Sequence, residues 1–148
     1  MGLYYNNYVR HKIIILDDDE LLCEEIAKIL EAEGYAADYF CDPRAGLKQL
    51  MSGAYDLLLL DLKLPGFDGD KILKLIRESR LAIKTIMISG SIITEQGRGA
   101  FRNLPGIISA SELDQADAVL AKPFDPEVLL REIGRLIGQT PKTPAPSS

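Results

Sequence analysis

A chain of 148 residues has room for one domain and little more, which speaks against a receptor joined to an effector. Hydrophobic residues at 47% and charged residues at 26% are ordinary globular usage and disfavour disordered, collagen-like and coiled-coil chains. Seventeen Lys and Arg against 22 Asp and Glu leave a net charge of −5, the wrong sign for neutralising phosphates along DNA, so direct nucleic-acid binding is not expected.

The first strand is expected at 12–16, where three consecutive isoleucines suit a pleat buried on both faces. A helix follows over 20–33, with Leu22, Ile26, Ile29 and Leu30 on one face and Gly34 as its stop signal. The second strand falls at 36–40. Pro43 opens a second helix that ends near Ser52 and Gly53, and the four leucines of 57–60 form a third strand closed by Asp61. Four leucines in a row cannot be amphipathic, so that strand should be covered on both sides. A third helix over 68–78 turns Ile72, Leu75 and Ile76 inward, and a fourth strand spans 84–89. Between 90 and 117 the glycines argue for loop, while Asn103 as cap, Pro105 in a first turn and Ile107, Ile108 and Leu113 facing inward suggest a short helix. The fifth strand is expected at 119–121. A last helix at 126–137 presents Val128, Leu129, Ile133 and Leu136 to the core. Short apolar strands alternating with helical segments signify an α/β domain with a buried parallel sheet.

In such sheets ligands sit just beyond the carboxyl ends of the strands. Here the first strand ends in Asp17-Asp18-Asp19, the third in Asp61, the fourth in Ser89-Gly90 and the fifth in Lys122-Pro123. Taken alone, an acidic triplet signals a helix start, and a Lys-Pro pair says little. Together they place carboxylates against one another, and sharing a hard cation relieves that repulsion. Mg²⁺ fits, because it takes oxygen ligands and keeps several waters. An ammonium and a hydroxyl opposite the metal suit the non-bridging oxygens of a phosphoryl group. The remaining polar features are plainer. Cys23 and Cys41 match neither a CxxC pair nor a zinc knuckle and are expected to be two buried reduced thiols; His11 should be exposed. No apolar run approaches the length of a membrane span and no signal peptide is apparent, so a soluble cytoplasmic protein without membrane insertion is expected.

The runs from Ile13 to Asp19, Tyr55 to Gly69, Thr85 to Gly90 and Ala116 to Phe124, in that order, resemble the receiver domain of bacterial two-component response regulators. The resemblance covers 11–138, with 1–10 as an N-terminal extension and 139–148 as a Pro-rich tail expected to be disordered. It implies a flavodoxin-like, doubly wound, five-stranded parallel sheet of order 2-1-3-4-5 with five helices. It also implies a phosphoaccepting signalling domain whose only chemistry is self-catalysed phosphotransfer and autodephosphorylation. Asp61 matches the phosphoacceptor, which takes its phosphoryl group from a sensor histidine kinase or phosphotransfer protein. Asp18 matches the residue that binds Mg²⁺ directly, Asp17 the one that usually acts through water, and Lys63 the position that gives the metal a backbone carbonyl. Ser89 matches the switch hydroxyl and Lys122 the phosphoryl-pairing lysine. Pro65, Gly66 and Gly69 match the turn after the phosphoacceptor, and Pro123 matches a cis peptide that aims Lys122.

The chain departs from the family pattern in three places. The stretch between Ser89 and Lys122 is longer, implying an insertion at about 91–103; Val119 stands where the family generally has Tyr or Phe; and nothing after the receiver is long enough for an effector. A single-domain regulator acting by phosphorylation-dependent binding of a downstream protein is therefore expected. Two alternatives remain. One is a haloacid-dehalogenase-type phosphatase with Asp17 as nucleophile, disfavoured by Leu21 where that motif expects Thr or Val. The other is a degenerate receiver that binds partners without phosphorylation, disfavoured by the intact Asp17, Asp18, Asp61, Ser89 and Lys122.

Overall fold

Three isoleucines in β1 (Lys12–Leu16) and four leucines in β3 (Leu57–Asp61) are solvent-excluded on both faces, so the rest of the chain has to supply two covering layers. The computed structural model describes residues 10–61, 63–64, 67–89 and 116–138. Between and after these strands come α1 (Glu20–Ala32), β2 (Ala36–Phe40), α2 (Pro43–Leu50), the two-residue strands β4 (Lys63–Leu64) and β5 (Phe67–Asp68), α3 (Gly69–Ser79), β6 (Lys84–Ser89), β7 (Ala118–Ala121) and α4 (Pro126–Ile137). The main sheet is wholly parallel in the order β2-β1-β3-β6-β7. Counted along its own five strands this is the expected 2-1-3-4-5. Four helices lie among the described residues. The short helix expected near Asn103, the insertion at 91–103 and the terminal tail lie outside them.

Strand alternation sorts the core into two halves. Ile13, Ile15, Leu57, Leu59, Ile86 and Ile88 face one side, where Cys23, Ile26 and Leu30 of α1 and Leu129 and Ile133 of α4 pack on them. Ile14, Leu16, Leu58, Leu60 and Met87 face the other, under Leu50 of α2 and Ile72, Leu73 and Ile76 of α3. Each such fully buried side chain contributes about 1.5–3 kcal/mol from lost apolar hydration.

Helix starts follow from local chemistry. Asp19 accepts the Leu22 N–H at 3.1 Å, Asp42 the Arg44 N–H at 3.1 Å and Asp125 the Glu127 N–H at 2.9 Å. In α2 and α4 a proline follows the capping aspartate at the first helical position, where its missing N–H has no partner to lose. Gly46 of α2 lies against the sheet, and a methyl group there would run into the Leu16 side chain and press on Phe40. Leu16 is fully buried, so its side chain could yield only by repacking the core around it. Gly46→Ala is therefore expected to lower stability by roughly 1–2 kcal/mol in a denaturant titration, since overpacking at about 1–3 kcal/mol outweighs a helix-propensity gain of up to about 1 kcal/mol.

The amino end of the sheet is tied together by polar contacts. Arg10 donates from Nε to the Gly34 carbonyl at 3.1 Å and from Nη2 to the Tyr35 carbonyl at 2.6 Å. The Tyr35 hydroxyl donates to the carbonyl of Gly138, just past α4, at 3.1 Å. His11, expected to be exposed, is half-buried instead; its Nδ1 lies 3.7 Å from Asp56 Oδ2, and its ring leans toward Tyr35.

Candidate functional site

Strand register alone brings the polar strand ends into one place. Leu16 pairs with Leu60, so Asp17 and Asp61 follow side by side. Asp61 pairs with Ile88, one residue before Ser89, and Ser89 pairs with Ala121, one residue before Lys122. The resulting pocket lies at the carboxyl edge of the sheet, between the start of α1 and the β7–α4 connection.

Carboxylate oxygens of Asp17, Asp18 and Asp61 fall within 4.8 Å of one another, a group able to hold a metal ion. Asp17 and Asp61 are buried, whereas Asp18 is exposed at the rim. Lys122 reaches into this cluster: its Nζ donates to Asp17 Oδ2 at 2.7 Å and stands 3.5 Å from Asp61 Oδ2. Burial by itself would push the Lys122 ammonium down. The hydrogen bond to Asp17 and the charges of Asp61 and Asp17 outweigh that and hold it above the ordinary lysine range. The other Asp17 oxygen accepts the Asp19 N–H at 3.0 Å, so both of its oxygens are engaged. Three carboxylates facing one ammonium leave an excess of negative charge, the electrostatic condition under which a divalent cation is drawn in.

Of the residues expected from the sequence, Asp17, Asp18, Asp61 and Lys122 come together. Lys63 begins β4 and Ser89 ends β6, and the Lys122-Pro123 peptide is cis. Three features were missed. Lys122 is nearer to Asp17 than to Asp61, and Asp19 serves both as the α1 cap and as the donor that orients Asp17. The third is Cys23, whose S–H donates to the Asp17 carbonyl at 3.4 Å. Cys23 is buried, but Cys41, expected to be buried too, is only half so. Beside the pocket a groove of about 420 Å³ runs between Leu22 and Ile29 of α1, Pro123 and Phe124 of the β7–α4 connection, and Pro126 at the start of α4. Leu21 at the start of α1 is 74% exposed. Among the described residues no helix is long and apolar enough to cross a membrane.

Known proteins share the family pattern and the fold of this chain. A family model described as the response regulator receiver domain matches residues 13–134. The chain is 33% identical over 132 residues to response regulator ArlR of Staphylococcus saprophyticus, covering 88% of this chain and 54% of that protein. It is 32% identical over 126 residues to the transcriptional regulatory protein PcoR of Escherichia coli, covering 85% of this chain and 51% of that protein. The chain thus spans about half the length of these curated relatives. Among solved structures it is similar to a CheY-like response regulator receiver domain protein from Methanospirillum hungatei, with a TM-score of 0.70, 28% identity and coverage of 86% and 93% of the two chains. The ordered strand-end residues, the parallel sheet that gathers them and the match along most of the sequence lead to one conclusion: the chain belongs to the response regulator receiver domain family.

Proposed function

We propose that this domain accepts a phosphoryl group on Asp61 from the phosphohistidine of a sensor histidine kinase or phosphotransfer protein, with Mg²⁺, and signals by phosphorylation-dependent binding of a downstream protein in the cytoplasm. The observation that carries the reading is the convergence of Asp17, Asp18 and Asp61 within 4.8 Å, with the Lys122 ammonium 3.5 Å from Asp61. Asp61 is the nucleophile because it stands at the family's phosphoacceptor position, and Asp17, with one oxygen bonded by the Asp19 N–H and the other by Lys122, has a holding role. This also weighs against the phosphatase alternative.

Asp17, Asp18, Asp61 and the Lys63 carbonyl would hold the metal. When bound, Mg²⁺ offsets the charge that builds up as two anions approach. The Asp61 carboxylate attacks phosphorus, the P–N bond to the donor histidine breaks, and an acyl phosphate remains on the aspartate. Lys122 then exchanges its hold on Asp17 for a phosphoryl oxygen, and the Ser89 hydroxyl donates to another. A protein donor suits the exposed Leu21 and the apolar groove beside the pocket, which offer a macromolecular surface next to the acceptor.

Incubation with acetyl phosphate supplies the test, since a small donor removes the need for a kinase. One phosphoryl mass increment is expected with Mg²⁺ and none after chelation. Equal labelling in both conditions counts against the metal reading, and no labelling in either counts against phosphoacceptance.

A further inference from the structure

Three hydrogen bonds meet at Asp19, the junction between β1 and α1. Its N–H donates to Asp17 Oδ1 at 3.0 Å, its own Oδ1 accepts the Leu22 N–H at 3.1 Å, and its carbonyl accepts the Cys23 N–H at 3.0 Å. The backbone there is extended, with φ −89° and ψ 98°, as a helix cap requires. Asp17 relies on this residue more than on its other partner. Lys122 holds Asp17 Oδ2 through a flexible four-carbon stem, and in the transfer set out above it leaves for a phosphoryl oxygen. Among the described residues, the Asp19 N–H is then the donor that still holds the Asp17 carboxylate. A backbone donor points where its backbone points, and the backbone of Asp19 is kept in place by its own side chain.

We propose that Asp19 is a positioning residue for the metal: by capping α1 its side chain fixes the N–H that orients the Asp17 carboxylate, and metal occupancy in turn tightens the first turn of α1. The inference rests on the metal reading of Asp17, Asp18 and Asp61. With an acceptor at position 19 the Leu22 N–H is satisfied and α1 starts at a fixed place, so the Asp17 carboxylate meets the cation already oriented. Without one, that N–H is left to water, the first turn frays, and the Asp19 N–H no longer keeps one direction. The charge of Asp19 is not what acts. Its carboxylate is exposed and turned toward the Leu22 N–H, where a neutral side-chain oxygen would do the same work. Coupling of this kind is mutual: whatever factor the cap adds to metal affinity, the metal adds to closure of the turn. That turn carries the exposed Leu21, so occupancy of the pocket is felt on the surface beside the apolar groove.

Mg²⁺ titration calorimetry on the full chain compares the parent with Asp19→Ala, Asp19→Asn and Asp42→Ala. Asp42 caps α2 through the Arg44 N–H and stands outside the carboxylate cluster, so it controls for loss of a cap as such. Asp19→Ala is expected to bind Mg²⁺ about tenfold more weakly, the scale of losing an outer partner of a metal ligand. Asp19→Asn, which keeps a capping oxygen without the charge, and Asp42→Ala should stay within about twofold of the parent. A measurement on the parent alone needs no variant to fold: Mg²⁺ should slow amide exchange at Leu22 and Cys23 by a similar factor of about ten. Asp19→Asn as weak as Asp19→Ala makes the charge responsible and overturns the proposal. Equal weakening in Asp42→Ala overturns it too, as a general effect of helix fraying. Parent-like affinity in Asp19→Ala, or exchange at Leu22 and Cys23 that Mg²⁺ leaves unchanged, overturns it while the metal reading stands. A parent chain that binds no Mg²⁺ overturns the metal reading and the positioning role together.

Discussion

Asp61→Asn is expected to take up no phosphoryl group from acetyl phosphate under conditions that label the parent chain. The substitution preserves size and leaves an acceptor for Lys122, but an amide oxygen is not a competent nucleophile toward phosphorus. Neither neighbour is placed to substitute. Asp17 is held by Lys122 and by the Asp19 N–H, and Asp18 lies out at the rim. Intact-mass spectrometry with peptide mapping reads the result, and persistent full labelling of the variant sinks the assignment. The variant also removes one of three mutually repelling carboxylates, so its thermal midpoint should be no lower than that of the parent.

Lys122→Met should destabilise the metal-free protein by about 3 kcal/mol, the cost typical of removing one partner from a buried ion pair. Two buried carboxylates, Asp17 and Asp61, would then lose their ammonium, and a drop of roughly 10 °C in thermal midpoint follows. Because a divalent cation can take over that neutralisation, added Mg²⁺ should recover more stability in the variant than in the parent. The pH dependence has a definite sign. Its folded-state pKa is raised, so the Lys122 contribution is complete below the ordinary lysine value of 10.5 and disappears as pH climbs through the folded value. Tyr35, Tyr55 and both thiols also have raised pKa values, chiefly through burial, and fade on the same alkaline side. The lysine share is therefore the difference between parent and variant: the gap between their stability curves should be constant near neutrality and close at high pH. A gap that stays open there, or Mg²⁺ recovery equal in both proteins, counts against the pairing.

Strand positions were readable because their residues admit few other environments. Ile13, Ile14 and Ile15 cannot all find cover unless both faces of β1 are packed, and the same holds for the leucines of β3. The starts of α2 and α4 were readable from Pro43 and Pro126, since proline suits the first helical position, while the capping roles of Asp42 and Asp125 emerge from the structure. The antiparallel ribbon of β4 and β5 was not, since two residues per strand carry no periodicity. At the site, strand ends told which residues meet and not which charges pair. Nothing in the chain order of Asp17, Asp61 and Lys122 says that the ammonium sits closer to Asp17. Cys41 was expected to be as buried as Cys23, and nothing in its sequence neighbours shows that the position just past β2 leaves it half-exposed.

The polar ties at the amino end of the sheet have a bearing on protein engineering. His11 stands beside Gly138, and Tyr35 takes a bond from Arg10 at its carbonyl and gives one from its hydroxyl to Gly138, so the path entering β1 and the path leaving α4 are neighbours. The acidic pocket lies at the opposite end of strands that are about 16 Å long. A short linker could therefore join 138 to 10 without crossing the molecule, and new termini could be opened elsewhere on the surface. Such a circular permutant would keep the four strand ends in register and would carry a fluorescent reporter far from the chemistry. The receiver could then serve as a sensor cassette whose attachment points do not compete with the group it senses.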